Sequence, residues 1–289
     1  MLKHDLIKHL EFRLEKAFNL SIELSAISKI GGGDINEAFQ LTFNDSTYFL
    51  KLNSSINFPK MFEAEYRGLE MLRKSSSFII PRAYFYGDFE ENSYLLMEWL
   101  DLSANGDWTN FGRVLANLHK KTDQNFGLDH DNYIGSLIQL NSQTESWSEF
   151  YANQRLLPLF RQAFDLNYFD ADDQNKLQRL LNNVDNIYPK EVPSFIHGDL
   201  WSGNASFCKT IPTLYDPAVY FGHREMDLAM TLLFGGFPKE MYDAYNEVYP
   251  LEIKWKERVE INQLYPLLVH VLLFGGSYVR QVKNILKRF

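Results

Sequence analysis

Residues 5–18 carry Leu6, Leu10, Leu14 and Phe18 at intervals of four, the spacing that lines one face of a helix. After that helix the pattern changes. Segments 22–30, 38–43, 47–52, 83–86 and 94–99 predict strands, with Gly31, Gly32, Gly33 and Asp34, and then Asn44 and Asp45, as turn material between them. One helix, 61–72, interrupts the strands. The polar segment DLSANGD at 101–107 marks a change of texture. Beyond it, Phe111, Val114, Leu115 and Leu118 fall at i, i+3, i+4 and i+7, and Leu177, Leu180, Leu181 and Val184 repeat that spacing. Helices then dominate, broken by a β-like island at 194–218. The pattern predicts an α+β chain of two lobes. A small N-terminal lobe, 1–100, holds an antiparallel sheet with a helix, and a larger, mainly helical C-terminal lobe covers 101–289.

Composition narrows the function without naming it. The 289 residues are 45% hydrophobic and 23% charged, with a formal net charge of -8. Nucleic acid and anionic membrane reward basic patches, so neither is expected as a partner. A single cysteine, Cys208, excludes an internal disulfide and a multi-cysteine metal site. The start, MLKHDLIKHLEF, mixes charge into its apolar residues and does not read as a signal peptide. The longest apolar stretch, 264–279, is interrupted by Pro266, His270, Gly275 and Gly276, too short and broken for a membrane span. A cytoplasmic enzyme is the expectation, its oligomeric state open.

Candidate chemistry sits in the β-like island. HGDLWSGN, from His197 to Asn204, is followed by Tyr215, Asp216 and Pro217. Between them, 205–208 and 213–216 predict the two strands of a hairpin turning at 209–212. If Cys208 faces Thr213, then Ala205 faces Asp216, and Asn204 lies one residue away. A neutral oxygen and a carboxylate at one hairpin end suit Mg²⁺, which takes its remaining ligands from water and substrate phosphates. Asp199 beside them is placed to accept or orient a substrate hydroxyl proton, as phosphoryl transfer requires.

The upstream lobe supplies partners for a triphosphate. Lys51 lies inside an apolar strand, costly for an ammonium unless it is paired or snorkels to water. On the 61–72 helix, Phe62, Tyr66, Leu69 and Leu72 define the apolar arc. Glu65 falls inside that arc and Glu63 outside it, so Glu65 is the expected partner. Gly31, Gly32, Gly33 and Asp34 link two strands ahead of Lys51, where backbone N–H groups can cover phosphates. Met97, Glu98 and Leu100 end the last strand of this lobe, where a hinge can offer backbone groups to adenine. ATP and Mg²⁺ are the expected cosubstrate and cofactor.

Together GGGDINEAF, YFLKLN, MFEAEYRGLEML, LLMEWL, LANLHK, HGDLWSGN and YDPAVYFGHREMDLAM resemble the fructosamine kinase (ketosamine-3-kinase) family, within the aminoglycoside phosphotransferase and choline kinase branch of the protein-kinase-like fold. The resemblance implies ATP-dependent phosphorylation of a small or protein-linked ketosamine at its sugar O3, giving an unstable product that releases the amine and reverses glycation. It implies Lys51 on phosphate, Glu65 orienting it, Asp199 as base, and Asn204 with Asp216 on Mg²⁺. Trp201 would lie beside the sugar, either stacking on its C–H face or buttressing the loop. Where protein kinases carry HRD and DFG, this chain has HGD and DPA, with no Ala-Pro-Glu segment after them, so no activation-loop switch is expected. The glycine-rich loop contains no cysteine for thiol regulation. Two other readings remain: a phosphotransferase acting on an aminoglycoside, a choline-like alcohol or a free sugar, and a non-catalytic nucleotide-binding scaffold.

Neighbouring polar residues are expected to be structural. His197 packs the loop, His119 meets carbonyls at its helix end, and Asp227 braces the catalytic loop from the start of a helix. Tyr220 and Phe221 fit either an acceptor pocket or the core.

Overall fold

Helix α1 (His4–Phe18) opens the fold in the computed structural model, which describes residues 2–31 and 35–289. Its stripe of Leu6, Leu10 and Leu14 is buried against a five-stranded antiparallel sheet. The strands are β1 (Leu24–Ile30), β2 (Glu37–Phe43), β3 (Ser46–Ser54), β4 (Ala83–Phe89) and β5 (Asn92–Glu98), in the order β1-β2-β3-β5-β4. Phe39, Leu41 and Phe43 alternate inward along β2, as do Tyr48, Leu50 and Leu52 along β3. Successive side chains on a strand face opposite ways, so this alternation decides which β3 residues meet α1. Helix α2 (Met61–Ser75) follows β3.

The chain divides into two units. The first is Met1–Glu70 with Pro81–Asp101, and the second is Met71–Ile80 with Leu102–Phe289. Segment Met71–Ile80 belongs to the second because Ile79 bridges Thr213, exchanging backbone bonds with Pro212 and Leu214, and Phe78 packs its ring 4.9 Å from that of Phe111.

Helices dominate the second unit. β6 (Leu102–Ser103) leads to α3 (Trp108–His119), whose first turn is capped by Asp107 accepting from the Asn110 amide. A small ribbon, β7 (Asn132–Ile134) with β8 (Leu137–Gln139), precedes α4 (Trp147–Phe150) and a π-helical turn at Tyr151–Leu156. Then come α5 (Leu157–Asp165), α6 (Ala171–Leu181), opened by an Asp170–Asp173 capping box, and α7 (Val184–Ile187). The β-like island contains β9 (Ser194–Ile196), β10 (Ala205–Cys208), β11 (Ile211–Leu214) and β12 (Tyr220–Gly222). β9 pairs with β12, while β10 lies between β11 and β6. The chain closes with α8 (Glu225–Thr231), α9 (Lys239–Val248), α10 (Trp255–Phe274) and α11 (Ser277–Leu286). Among the described residues, no helix is long and apolar enough to cross a membrane.

The hairpin differs from its predicted register. Ala205 faces Leu214 and Cys208 faces Ile211, two residues from the expected pairing. Lys209 and Thr210, both at positive φ, form a two-residue turn, which matches strand twist better than the longer turn expected. Tyr220 is core, its ring beneath the guanidinium of Arg155 at 3.9 Å.

Candidate active site

Lys51 sits on β3, facing Ala38 of β2 and Leu95 of β5. Because Leu50 and Leu52 turn toward α1, Lys51 points to the opposite face of the sheet, where α2 lies. Its Nζ donates to Glu65 Oε1 at 2.7 Å, with the side chains only 8% and 11% exposed. Glu63, on the outer side of α2, pairs with Arg67 at 2.8 Å near the surface. A charge this deeply set is costly unless it is paired, so the Glu65 carboxylate offsets that cost and fixes where the Lys51 Nζ sits.

At the end of β5, Met97 is buried between Phe49 and Ala83. Glu98 is already committed to the start of β4. Its N–H donates to Arg82 O at 2.8 Å, and its carboxylate accepts from the Arg82 N–H at 3.2 Å. Beyond Glu98, Leu100 lies half-buried. Gly31 follows β1 and is exposed. Gly32, Gly33 and Asp34 lie outside the described residues.

In the second unit a tight loop leaves β9. Gly198 has φ +83°, and a Cβ there would stand 2.0 Å from Ala218 O, so only glycine fits. His197 is fully buried and joins two strands of chain: its Nδ1 accepts from the Asp199 N–H at 3.3 Å, and its Nε2–H donates to Tyr215 O at 3.0 Å. Burial pushes this imidazole below its ordinary pKa, so the neutral tautomer does the bridging. Tyr215 also donates its N–H to Asn204 O, at 3.2 Å. These bonds bring Asp216 beside Asn204 despite the shifted hairpin register.

Asn204 is the centre of the arrangement. Its Nδ2 donates to Asp199 Oδ2 and to Asp199 O, both at 2.9 Å, and reaches Asp216 O at 3.5 Å. With Nδ2 so engaged, Oδ1 is the amide atom left for a cation. Burial pushes the Asp199 carboxyl up to about 7. The Asn204 hydrogen bond pulls the other way, while Asp216 and Asp227 add to the rise. Asp216 itself takes the left-handed conformation, φ 54°, uncommon for a residue with a side chain. Trp201 lies across Gly203, where a Cβ would come within 2.2 Å of the indole, and packs edge-on to Phe234 at 5.8 Å.

Behind the loop, Asp227 of α8 accepts from the His197 N–H at 2.7 Å and the Gly198 N–H at 2.9 Å. Burial alone would raise this carboxyl, but donors from His119 and His197 outweigh it and hold the pKa below its ordinary value. His119 departs from expectation. Instead of capping carbonyls, its Nε2 meets Asp227 Oδ2 at 3.2 Å and its Nδ1 meets Tyr245 Oη at 2.9 Å. Sequence reading missed Tyr245, which lies 126 residues from His119 and stands in no motif that signals it.

The sequence model of the fructosamine kinase family matches residues 6–289. The chain belongs to the fructosamine kinase family. A probable ketoamine kinase of Enterococcus faecium is 42% identical over 262 residues, covering 89% of this chain and 93% of that one. The chloroplastic protein-ribulosamine 3-kinase of Arabidopsis thaliana is 35% identical over 271 residues, covering 91% of this chain and 82% of its own. A crystal structure from Haemophilus somnus, named as a fructosamine-3-kinase, superposes with TM-score 0.88 at 30% identity and 96% coverage of each chain. An aminoglycoside phosphotransferase at 16% identity and TM-score 0.62 shares the fold alone. The family therefore has the protein-kinase-like fold expected from the sequence, and this fructosamine kinase family member carries its HGD segment on the loop after β9 and its DPA segment just after the β10–β11 hairpin.

Proposed function

We infer that this protein transfers the γ-phosphoryl group of ATP to a hydroxyl of a ketosamine, most simply O3 of a fructosamine or ribulosamine, in deglycation. The observation that carries the reading is the Asn204 amide clamped to Asp199, with Asp216 held alongside through His197 and Tyr215. Relatives named as ketoamine and protein-ribulosamine kinases support the acceptor class. An aminoglycoside, a choline-like alcohol or a free sugar as acceptor, or a scaffold without catalysis, is not favoured.

In this reading the first unit handles nucleotide. Lys51, steered by Glu65, neutralises α- and β-phosphate charge, Gly31 to Asp34 cover the phosphates, and the segment holding Met97, Glu98 and Leu100 meets adenine. The second unit carries the acceptor chemistry. Asp199 accepts the proton of the attacking hydroxyl, and a carboxyl poised near neutrality suits that task. Trp201 offers its indole to the C–H face of the sugar.

Asn204 and Asp216 would hold Mg²⁺. Among the described residues no group of three or more His, Cys, Asp or Glu is placed to hold a metal. Two oxygen ligands with the rest from phosphate and water fit Mg²⁺, which rarely occupies an all-protein cage. Held there, the ion would supply charge neutralisation for the triphosphate. Phosphorylation at O3 places a phosphate ester next to the C2 carbonyl, and the breakdown of that product frees the amine.

The deciding assay supplies ATP and Mg²⁺ with fructosyl-lysine or ribulosyl-lysine and follows ADP. Acceptor-dependent turnover is expected, and Asp199→Asn should lower it by roughly 10²–10⁴-fold while ATP still binds. No turnover with any ketosamine, alongside turnover with another hydroxyl acceptor, would overturn the substrate assignment.

A further inference from the structure

His119, Tyr245 and Asp227 form a buried line of hydrogen bonds that ends on the backbone just ahead of Asp199. The carboxylate of Asp227 can only accept, so His119 must carry its proton on Nε2 and donate it there. In the neutral ring Nδ1 is an acceptor, and Tyr245 donates its hydroxyl proton to it. With the ring neutral the chain runs in one direction, tyrosine to histidine to carboxylate. Asp227 in turn accepts the amides of His197 and Gly198. Tyr245, His119 and Asp227 are each 1% exposed or less, so no solvent competes for these bonds.

The helices are built to make this contact. On α3, Gly112 lies two turns before His119 on the same face; on α9, Met241 lies one turn before Tyr245. A Cβ at Gly112 would stand 2.1 Å from Met241 O. A glycine there lets the two backbones approach closely, and that approach sets the Tyr245 hydroxyl against the imidazole, whose ring centroids lie 5.5 Å apart.

We propose that Tyr245 is a positioning residue for phosphoryl transfer, acting through His119 and Asp227 on the peptide that aims the Asp199 carboxylate. The proposal rests on Asp199 being the proton acceptor. Asp227 is charged and accepts at both oxygens, and His119 occupies a lone pair on Oδ2 that also serves the His197 amide. Losing that donor lets the carboxylate rotate, and rotation loosens the His197 and Gly198 amides together. A base displaced by a fraction of an ångström lowers the rate of the chemical step more than it weakens the binding of either substrate.

The test compares Tyr245→Phe and His119→Gln with Tyr188→Phe. Tyr188→Phe removes another buried hydroxyl of the same unit, one bonded to Asn262 at 2.7 Å and not to Asp227. Steady-state kinetics with ATP and fructosyl-lysine, thermal midpoints and amide exchange at residues 197–199 are read for each. Tyr245→Phe and His119→Gln should lower kcat by roughly 10- to 100-fold with both KM values within about threefold. The 197–199 amides should exchange faster, and the double variant should lose less than the two effects multiplied, because the residues act in one chain. Tyr188→Phe should lose stability with kcat unchanged. Wild-type kcat and exchange in folded Tyr245→Phe and His119→Gln would overturn the proposal, as would an equal kcat loss in Tyr188→Phe. Full activity in Asp199→Asn would instead remove the assignment of the base, while the exchange measurement still reports on the clamp.

Discussion

Asn204 donates from one amide nitrogen to both the side chain and the backbone oxygen of Asp199, at 2.9 Å each. In the proposed mechanism one side chain thus orients the proton acceptor and keeps its own oxygen for a cation. Asn204→Asp has nearly the same shape but replaces the donor with a second carboxylate. Two acceptors would then face each other at hydrogen-bond distance, and Asp199 would turn away or hold a proton. The expected outcome is a kcat lower by roughly 10²-fold or more and a shifted magnesium dependence, read as initial rate against Mg²⁺ at saturating ATP. An unchanged rate and magnesium curve would show that the amide is neither clamp nor ligand.

Glu65 holds Lys51 from α2, on the sheet face to which the lysine points, and its removal should be felt at the nucleotide. Glu65→Gln keeps the volume and one hydrogen bond while deleting the charge that steers the ammonium. kcat/KM for ATP should fall by roughly 10²-fold, whereas KM for the ketosamine should move little. Glu63→Gln, which affects only the surface pair with Arg67, serves as the control and should behave as wild type. Equal effects from the two substitutions would remove the distinction between the helix faces.

That distinction was legible from sequence because helical geometry sorts residues two apart onto different faces, and an apolar arc marks which face is inside. The same local logic located α1, the five strands of the first unit and the hairpin around Cys208. It failed where the deciding contact is remote. The hairpin register moved by two because Lys209 and Thr210 accept positive φ without being glycine or asparagine, so composition did not announce the tighter turn. His119 sits at a helix end, where carbonyls are the local choice. Its true partners come from α8 and α9, 108 and 126 residues later. Periodicity carries no information about which buried polar groups satisfy each other across such distances.

Glu225 and Arg258 illustrate the same point with an energetic consequence. Two bonds, of 2.8 and 2.6 Å, tie α8 to α10, with the side chains 1% and 9% exposed. Removing one member of a buried ion pair leaves the other charge without compensation, at about 3–5 kcal/mol. Glu225→Ala should therefore lower the thermal midpoint by about 10 °C. Replacing both, as Glu225→Met with Arg258→Leu, should recover most of the loss, since neither charge is then stranded. A double variant as unstable as the single one would mean that the pair itself, and not the stranded charge, sets the cost.

His223 sets how the fold responds to mild acid. It is buried, its Nδ1 accepts from the Glu225 N–H at 3.4 Å, and its Nε2 lies 3.8 Å from Glu191 Oε2, with no hydrogen-bond partner among the described residues. Burial lowers its pKa. Glu225 and Glu191 oppose the shift, while Arg224 and Arg258 reinforce it. The unfolded chain therefore takes up a proton near the ordinary value of 6.5 while the folded protein does not. Where the unfolded state binds more protons, stability rises with pH, so it must fall as pH drops below 6.5 and continue falling until the folded histidine also protonates. Each such group contributes about 1.4 kcal/mol per pH unit in that window. His197, also lowered by burial, acts with the same sign, whereas Asp199, raised to about 7, takes its proton first in the folded state and opposes them. Thermal midpoints measured from pH 7.5 to 5.5 should decline, because the lowered histidines His197, His223 and His270 outnumber the one carboxyl raised into this range, Asp199. His223→Asn keeps an acceptor for the Glu225 amide but cannot take a proton. Its midpoint should start lower, because the side chain is smaller, and then decline less steeply with acid. Parallel curves for the two proteins would show that His223 does not titrate differently in the folded and unfolded chains, and the acid sensitivity would have to come from elsewhere.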